Sequence, residues 1–382
     1  RAQTEPGNPV ISARDSIHDD AIVVPESLES DIDSLLTDWL MQSRSYIDPS
    51  CSSRTENVNF PDSVYIDRLS RLPNQIEMPF NQIVLSYINI YTQRRRALVE
   101  YMLGLGAFYF PIFEEELDRE GLPLELKYLP VIESALKPGA RSRAGAVGLW
   151  QFMPGTAKVM GLEINSLIDE RCDPIKSTQA AVRYLKELYG IYQDWNLAIA
   201  AYNCGPGNID KAIKRADGKK DYWEIYYFLP RETRGYVPAF IAANYVMNYY
   251  EEHHICPVLT DMPMSSDTIR VSERIHFLQL AEVLNLPIDL IRQLNPQYRR
   301  DVIPGHIRPH SLRLPMQQLY TFIERKDTVL AYQSGRLSRR AVVQPVKLTG
   351  NYGSPTYHKV RSGESLSVIA RKYRVSVNDL KA

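Results

Sequence analysis

From Asp62 to about Glu252, apolar residues recur at spacings of three and four, the period of a helix. No alternating run of strand type interrupts them. Asp62, Asn81, Asp173 followed by Pro174, and Asp194 stand just ahead of such runs, where a short polar side chain caps exposed amide groups, so helices are predicted to begin there. Glycine and proline gather between the runs, most densely in KPGARSRAGAVG (137–148) and NCGPGN (203–208), which are predicted loops. Leu122, Leu126, Leu129, Glu133 and Leu136 have the spacing of a single helical face, with a carboxylate where another leucine is expected. Pro130 is expected to kink that stripe.

The pattern changes on either side of this block. Residues 1–60 read as an N-terminal extension, largely polar, with one amphipathic helix from Ser27 to about Arg44. Beyond Pro257 the chain aligns with itself. Residues 269–291 and 358–380 superpose without a gap, so that Val271 meets Val360, Phe277 meets Leu366, Ala281 meets Ala370 and Ile291 meets Leu380. Each copy reads as a short strand, a helix, a short connection and a second helix, and SLRLP (311–315) is a closing strand for the first. A helix is predicted over 316–325. The chain therefore divides into an extension (1–60), a helical domain (61–256), a small α+β module (264–316), a linker (317–355) and a second, truncated module (356–382).

Composition narrows the function. Lys+Arg and Asp+Glu number 45 each, the net charge is zero and no basic block appears, so nothing favours a nucleic-acid partner. No run of eighteen apolar residues occurs, and the first residues, RAQTEPGNPV, are polar without an initiating methionine. A removed export signal fits this start, and it leaves room for membrane association through a segment ahead of residue 1. Four cysteines, Cys51, Cys172, Cys204 and Cys256, are too few for a disulfide scaffold and lack zinc-site spacing, so one or two bridges are compatible with export and no metal is expected. His253 and His254 are adjacent on a helical pattern and do not face one another.

Glu133 carries the candidate chemistry. A carboxylate on an apolar stripe costs free energy unless a cation pairs with it, for which Arg141 and Arg143 are near in sequence, or unless it holds a proton. A proton-holding carboxyl is the general acid that glycosidic bond cleavage needs. After it come GLWQFMP at 148, AYNCGPG at 201 and ETRGYVP at 232, so that with the Glu-Ser pair at 133 four segments follow in order. Together they resemble the family 1 lytic transglycosylases, which share the goose-type lysozyme fold. The resemblance covers about 85–256, and VRSGESLSVIARKY makes the second repeat similar to lysin-motif (LysM) modules, which bind glycan N-acetyl groups. In the first repeat Arg274 replaces the turn glycine Gly363, a degenerate copy.

The resemblance implies a mainly α, lysozyme-like catalytic domain followed by small α+β LysM-type modules, acting on peptidoglycan glycan strands in the cell envelope without a cofactor. It implies that Glu133 protonates the oxygen between N-acetylmuramic acid and N-acetylglucosamine, then takes a proton from the C6 hydroxyl as a 1,6-anhydro ring closes. Ser134, Gln151, Met153, Tyr202 and Asn203 carry over as substrate-binding residues, and Tyr236 as the hydrogen-bond partner of Glu133. Two rivals remain. A hydrolase on the same fold would need a second carboxylate such as Asp173, Asp194 or Glu232; a binding protein would have lost turnover altogether.

Overall fold

A computed structural model describes residues 17, 19, 22–29, 46–47, 56–260 and 262–337. The chain divides into two compact units, Arg1–Val346 and Lys347–Ala382. The second unit, with its predicted LysM module, lies outside the described residues, as do Cys51, most of the predicted Ser27–Arg44 helix and the linker beyond residue 337. Of that helix, the described part is a single turn, Glu26–Glu29.

Within the first unit the helical periodicity translates directly. Asp173 accepts from the Ile175 and Lys176 amides and starts the helix Pro174–Tyr192, whose first-turn proline needs no amide partner. Asp194 caps Trp195–Cys204 and Asn81 caps Gln82–Asn89 in the same way. Asp62 differs: it is the first residue inside its helix, and Pro61 takes the cap position without a side-chain bond. The helix Arg96–Glu120 is long and apolar enough to cross a membrane by length and composition. Here it is a core element, with Val99, Met102, Phe113 and Leu117 buried and its side against Pro174–Tyr192. At the centre runs Tyr236–Asn248, buried from Tyr236 to Met247, against Gln82–Asn89, Leu129–Ser134 and Trp195–Cys204. A helix apolar on all sides must be surrounded in this way.

The leucine stripe is not one helix. Leu122 follows the end of Arg96–Glu120, Leu126 lies in a 3-10 turn (Leu124–Tyr128), and a six-residue helix, Leu129–Ser134, carries Leu129 and Glu133. Pro130 occupies the first turn of that helix and opens it rather than kinking it. Ala135 and Leu136 then adopt left-handed backbone angles and end it. All four leucines are nonetheless buried, because three short pieces reproduce the spacing that one helix would have given.

The module after Pro257 follows its expected order with two added short strands, Arg274–His276 and Val302–Pro304. Ser266–Val271 pairs antiparallel with His310–Pro315, and Arg274–His276 with Val302–Pro304; Phe277–Leu284 and Ile288–Leu294 are the two helices. Met316–Glu324 forms the predicted helix after the closing strand. Arg274 begins a strand rather than a left-handed turn, so its departure from glycine carries no backbone strain. A second apolar core, including Phe277, Leu280, Ile291, Ile303 and Phe322, fills the module.

The capping residues carry a measurable share of this stability. Asp173→Ala, which removes an acceptor from two first-turn amides, is expected to lower the unfolding free energy by about 1–2 kcal/mol in urea denaturation; an unchanged midpoint would show that the cap does not matter.

Candidate active site

Glu133 sits in the last turn of Leu129–Ser134, just before the two left-handed residues. Left-handed backbone at two successive non-glycine residues is costly and persists only where the surroundings over-determine it. Here the burial of the Ala135 and Leu136 side chains, together with bonds from their amides to the Val131 and Pro130 carbonyls, supplies that constraint. The helix end and its carboxyl are thereby fixed. The Glu133 side chain keeps partial solvent exposure. Desolvation still pushes its pKa up to about 7, against the opposing hydrogen bond from Tyr236, whose hydroxyl donates to Glu133 Oε1 at 2.5 Å. Neither candidate arginine pairs with it: Arg141 faces Asp169 at 3.8 Å and Arg143 faces Glu26 at 3.8 Å.

Tyr236 opens the central buried helix, and the residue before it explains its placement. A Cβ at Gly235 would lie 2.0 Å from the Tyr87 hydroxyl, which donates to the Val23 carbonyl. Only glycine lets Tyr87 pass so close to the chain that carries Tyr236. Burial, then the nearby Glu133 charge, raises the Tyr236 pKa well above its usual value, so it acts as a donor.

The loop 144–153 is tied to the same helix end. Ser134 is buried, and its hydroxyl donates to the Pro130 and Leu149 carbonyls, tying the helix end to the loop. Tyr202 donates to the Trp150 carbonyl at 2.8 Å; desolvation, then the charge of Glu133, holds its own pKa well above normal. Gln151 has a left-handed backbone (φ 47°), and its amide donates to the Ala140 and Gly148 carbonyls. Met153, partly exposed, caps the next helix. Asn203 is exposed, and its side-chain oxygen accepts from Thr233, which joins the third motif to the fourth. All four segments thus meet around Glu133 through named bonds. Ser134 is the exception in accessibility, since both of its hydroxyl contacts serve the framework.

Two of the three carboxylates considered for a hydrolase are committed elsewhere. Asp173 and Asp194 are spent as helix caps, and Glu232 is exposed. His253, buried and bonded through Nε2 to the Tyr245 hydroxyl at 3.1 Å, belongs to a packed aromatic cluster with Tyr65 and Phe60. Cys256 is disulfide-bonded, whereas Cys172 and Cys204 are free.

Sequence reasoning missed two supports of the site. Trp150 is fully buried, donates to Thr178 at 2.9 Å and packs edge-on against Phe113, so the motif tryptophan anchors the loop and does not line a surface. Arg171, also buried, donates to the Gly145 and Phe152 carbonyls from the far side of the loop. A Cβ on Gly148 (φ 96°) would meet the Arg171 carbonyl at 1.9 Å, so this glycine is needed both for its conformation and for the close approach. The apolar pair Leu167 and Ile168, in an otherwise polar stretch, was the available hint that residues 163–173 pack against something.

Comparison with known proteins identifies the domains of the chain. Residues 110–225 match the Transglycosylase SLT domain, residues 265–331 the LysM-like domain of lytic transglycosylase MltD, and residues 358–382 the LysM domain. Membrane-bound lytic murein transglycosylase D of Escherichia coli K12 is 30% identical over 271 residues, covering 70% of this chain and 57% of that protein. The chain thus spans just over half the length of that relative. Soluble lytic murein transglycosylase of the same strain is 32% identical over 124 residues, 31% of this chain and 19% of that one. The solved 70 kDa soluble lytic transglycosylase from Escherichia coli aligns at 28% identity over 37% of this chain and 24% of its own, with a TM-score of 0.33. Residues 110–225 thus form a Transglycosylase SLT domain, and the chain carries LysM-type modules after it.

Proposed function

We propose that this chain is a peptidoglycan lytic transglycosylase of the cell envelope, cleaving the β-1,4 bond between N-acetylmuramic acid and N-acetylglucosamine with formation of a 1,6-anhydromuramic end. One observation carries the reading: the Glu133 carboxyl, its pKa pushed up to about 7 by desolvation, lies beside a tyrosine donor, while Asp173 and Asp194 cap helices and Glu232 is exposed. Protonated Glu133 gives its proton to the bridging oxygen. The substrate's own acetamido oxygen covers the developing cation, so charge stabilisation needs no second carboxylate. Glu133, now a carboxylate accepting from Tyr236, takes the proton of the C6 hydroxyl as that oxygen attacks C1. The C1 to bridging-oxygen bond breaks, the C1–O6 bond forms, and no water is consumed. One group serving as acid and then base works best with a pKa near the working pH.

Gln151, Met153, Tyr202 and Asn203 would meet the glycan around the acid, and Ser134 would act by holding the helix end to the loop. The LysM-type segment at 358–382 would supply glycan affinity apart from turnover. Export, and a membrane anchor ahead of residue 1, fit the likeness to a membrane-bound relative.

Mass analysis of muropeptides released by the purified protein tests the reaction: products with an anhydro end, one water lighter than hydrolysed ends, are expected, and hydrolysed ends alone would sink the reading. Glu133→Gln should lower turnover by at least about a hundredfold, the scale of general acid catalysis, while binding to insoluble peptidoglycan persists.

Activity should fall as pH rises through about 7, because the first step needs the protonated acid. Tyr236→Phe removes a donor that favours the carboxylate, so the alkaline limb should move to higher pH as the rate drops. A limb that stays in place would separate Tyr236 from the proton on Glu133.

The same shift makes a stability statement. The native state keeps a proton that the unfolded chain releases between the ordinary value of 4.5 and about 7, so rising pH destabilises the fold across that window. Glu133→Gln should therefore be more stable than the parent above pH 7, by up to about 3 kcal/mol. Calorimetry should find the gap closing as pH falls toward 4.

A further inference from the structure

The module that begins at Ser266 is not separate from the site. The stretch Glu163–Asp173 leaves the catalytic core, places Leu167 and Ile168 in the module's own apolar core, and returns to start the helix at Pro174. It also joins the module through backbone: Asp169 donates to the Gln297 carbonyl, Arg299 donates to the Leu167 carbonyl, and Ile168 bridges Tyr298 antiparallel. Arg308 adds ion pairs to Glu163 and Glu170.

At the centre lies Asp169, 1% exposed. Arg171 binds it through two parallel bonds of 2.8 and 2.9 Å, and Arg299 reaches the same carboxylate from the module at 2.5 Å. Burial alone would raise the Asp169 pKa; the two guanidinium groups overcome this and hold it below the ordinary range. With its Nε and Nη2 fixed on Asp169, Arg171 turns Nη1 to the Gly145 and Phe152 carbonyls, the two ends of the loop bearing Trp150 and Gln151. That loop receives the Ser134 hydroxyl on Leu149 and the Tyr202 hydroxyl on Trp150. A bonded path therefore runs from Arg299 through Asp169 and Arg171 to the neighbours of Glu133.

We propose that the module spanning 265–331 is a clamp on the active-site loop, with Arg299 and Asp169 as positioning residues that act through Arg171, rather than a freely tethered glycan-binding unit. The catalytic part of this inference rests on the function proposed above; the mechanical part does not. The face of the module bearing Gln297–Arg299 is committed to the catalytic side, and what it holds there is backbone whose carbonyls order the site.

The test uses the full chain with Arg299→Ala and Arg299→Lys, reading turnover on peptidoglycan and amide hydrogen exchange. Loss of the clamp should lower kcat by roughly tenfold or more, the penalty for small misplacement of reacting groups, with KM changed by less than about twofold. Exchange over 144–153 should accelerate while the strands 266–271 and 310–315 stay protected, and the lysine variant, which keeps the charge, should recover most of both. Should Arg299→Ala unfold the module, Asp169→Asn gives the same readouts from the other side. Unchanged exchange over 144–153 with unchanged kcat would overturn the clamp whatever reaction the parent performs. Faster exchange over that loop in a chain whose parent forms no anhydro ends would leave the clamp standing and remove the function instead.

Discussion

The hydrogen bond from the Tyr236 hydroxyl to Glu133 joins two helix ends, and much of the domain is arranged to hold them together. Desolvation drives the Glu133 carboxyl toward its neutral form, while the tyrosine favours the charged form; the outcome is a value near 7, where one group can both give and take a proton. Either influence alone would spoil this. A fully solvated carboxyl would have lost its proton at neutral pH, and a buried one without a donor would hold it too firmly to act as a base afterwards.

Position is as tightly constrained as charge. Leu129–Ser134 is too short to be stable alone, and it is stopped by two residues in a backbone region that favours glycine. Its geometry is imposed by neighbours: Leu136 in the core, the Ser134 hydroxyl on the loop, and the central helix alongside. Tyr236 stands at the head of that central helix, buried to Met247, so the donor is mounted on an element packed on all sides. Trp150 performs the equivalent service for the loop.

How much of this was legible in the sequence depends on the range of the interaction. Asn81, Asp173 and Asp194 were readable as caps because a cap is a contact over two or three residues. The acid stood out because a polar residue broke an apolar period, even though the period came from a turn, a short helix and a left-handed stop instead of one helix. The meeting of Glu133 with Tyr236, 103 residues apart, was accessible through motif resemblance and not through local pattern. Asp169 and Arg171 were invisible for a physical reason. Charged residues in a loop normally face water, and nothing local reveals that Arg299, 130 residues on, will close over them.

A buried ion pair is a poor source of stability, since the cost of taking two charges out of water can match their attraction. The Arg171–Asp169–Arg299 set is better understood through its geometry. Arg171 binds Asp169 in a fixed, forked arrangement, which a contact between leucines could not impose, and Arg299 adds a single charged bond from the module. Leu167 and Ile168 fasten the strap by area, and apolar contacts of this kind tolerate sliding; the backbone pairing of 167–169 with 297–299 and the ion set together fix the register at which it is fastened. Because the same Arg171 that reads this register also holds both ends of the 144–153 loop, an error in docking the module becomes an error in the placement of Gln151 and of the carbonyl that receives Ser134. The costly charges lie on a path where angular definition matters more than binding strength.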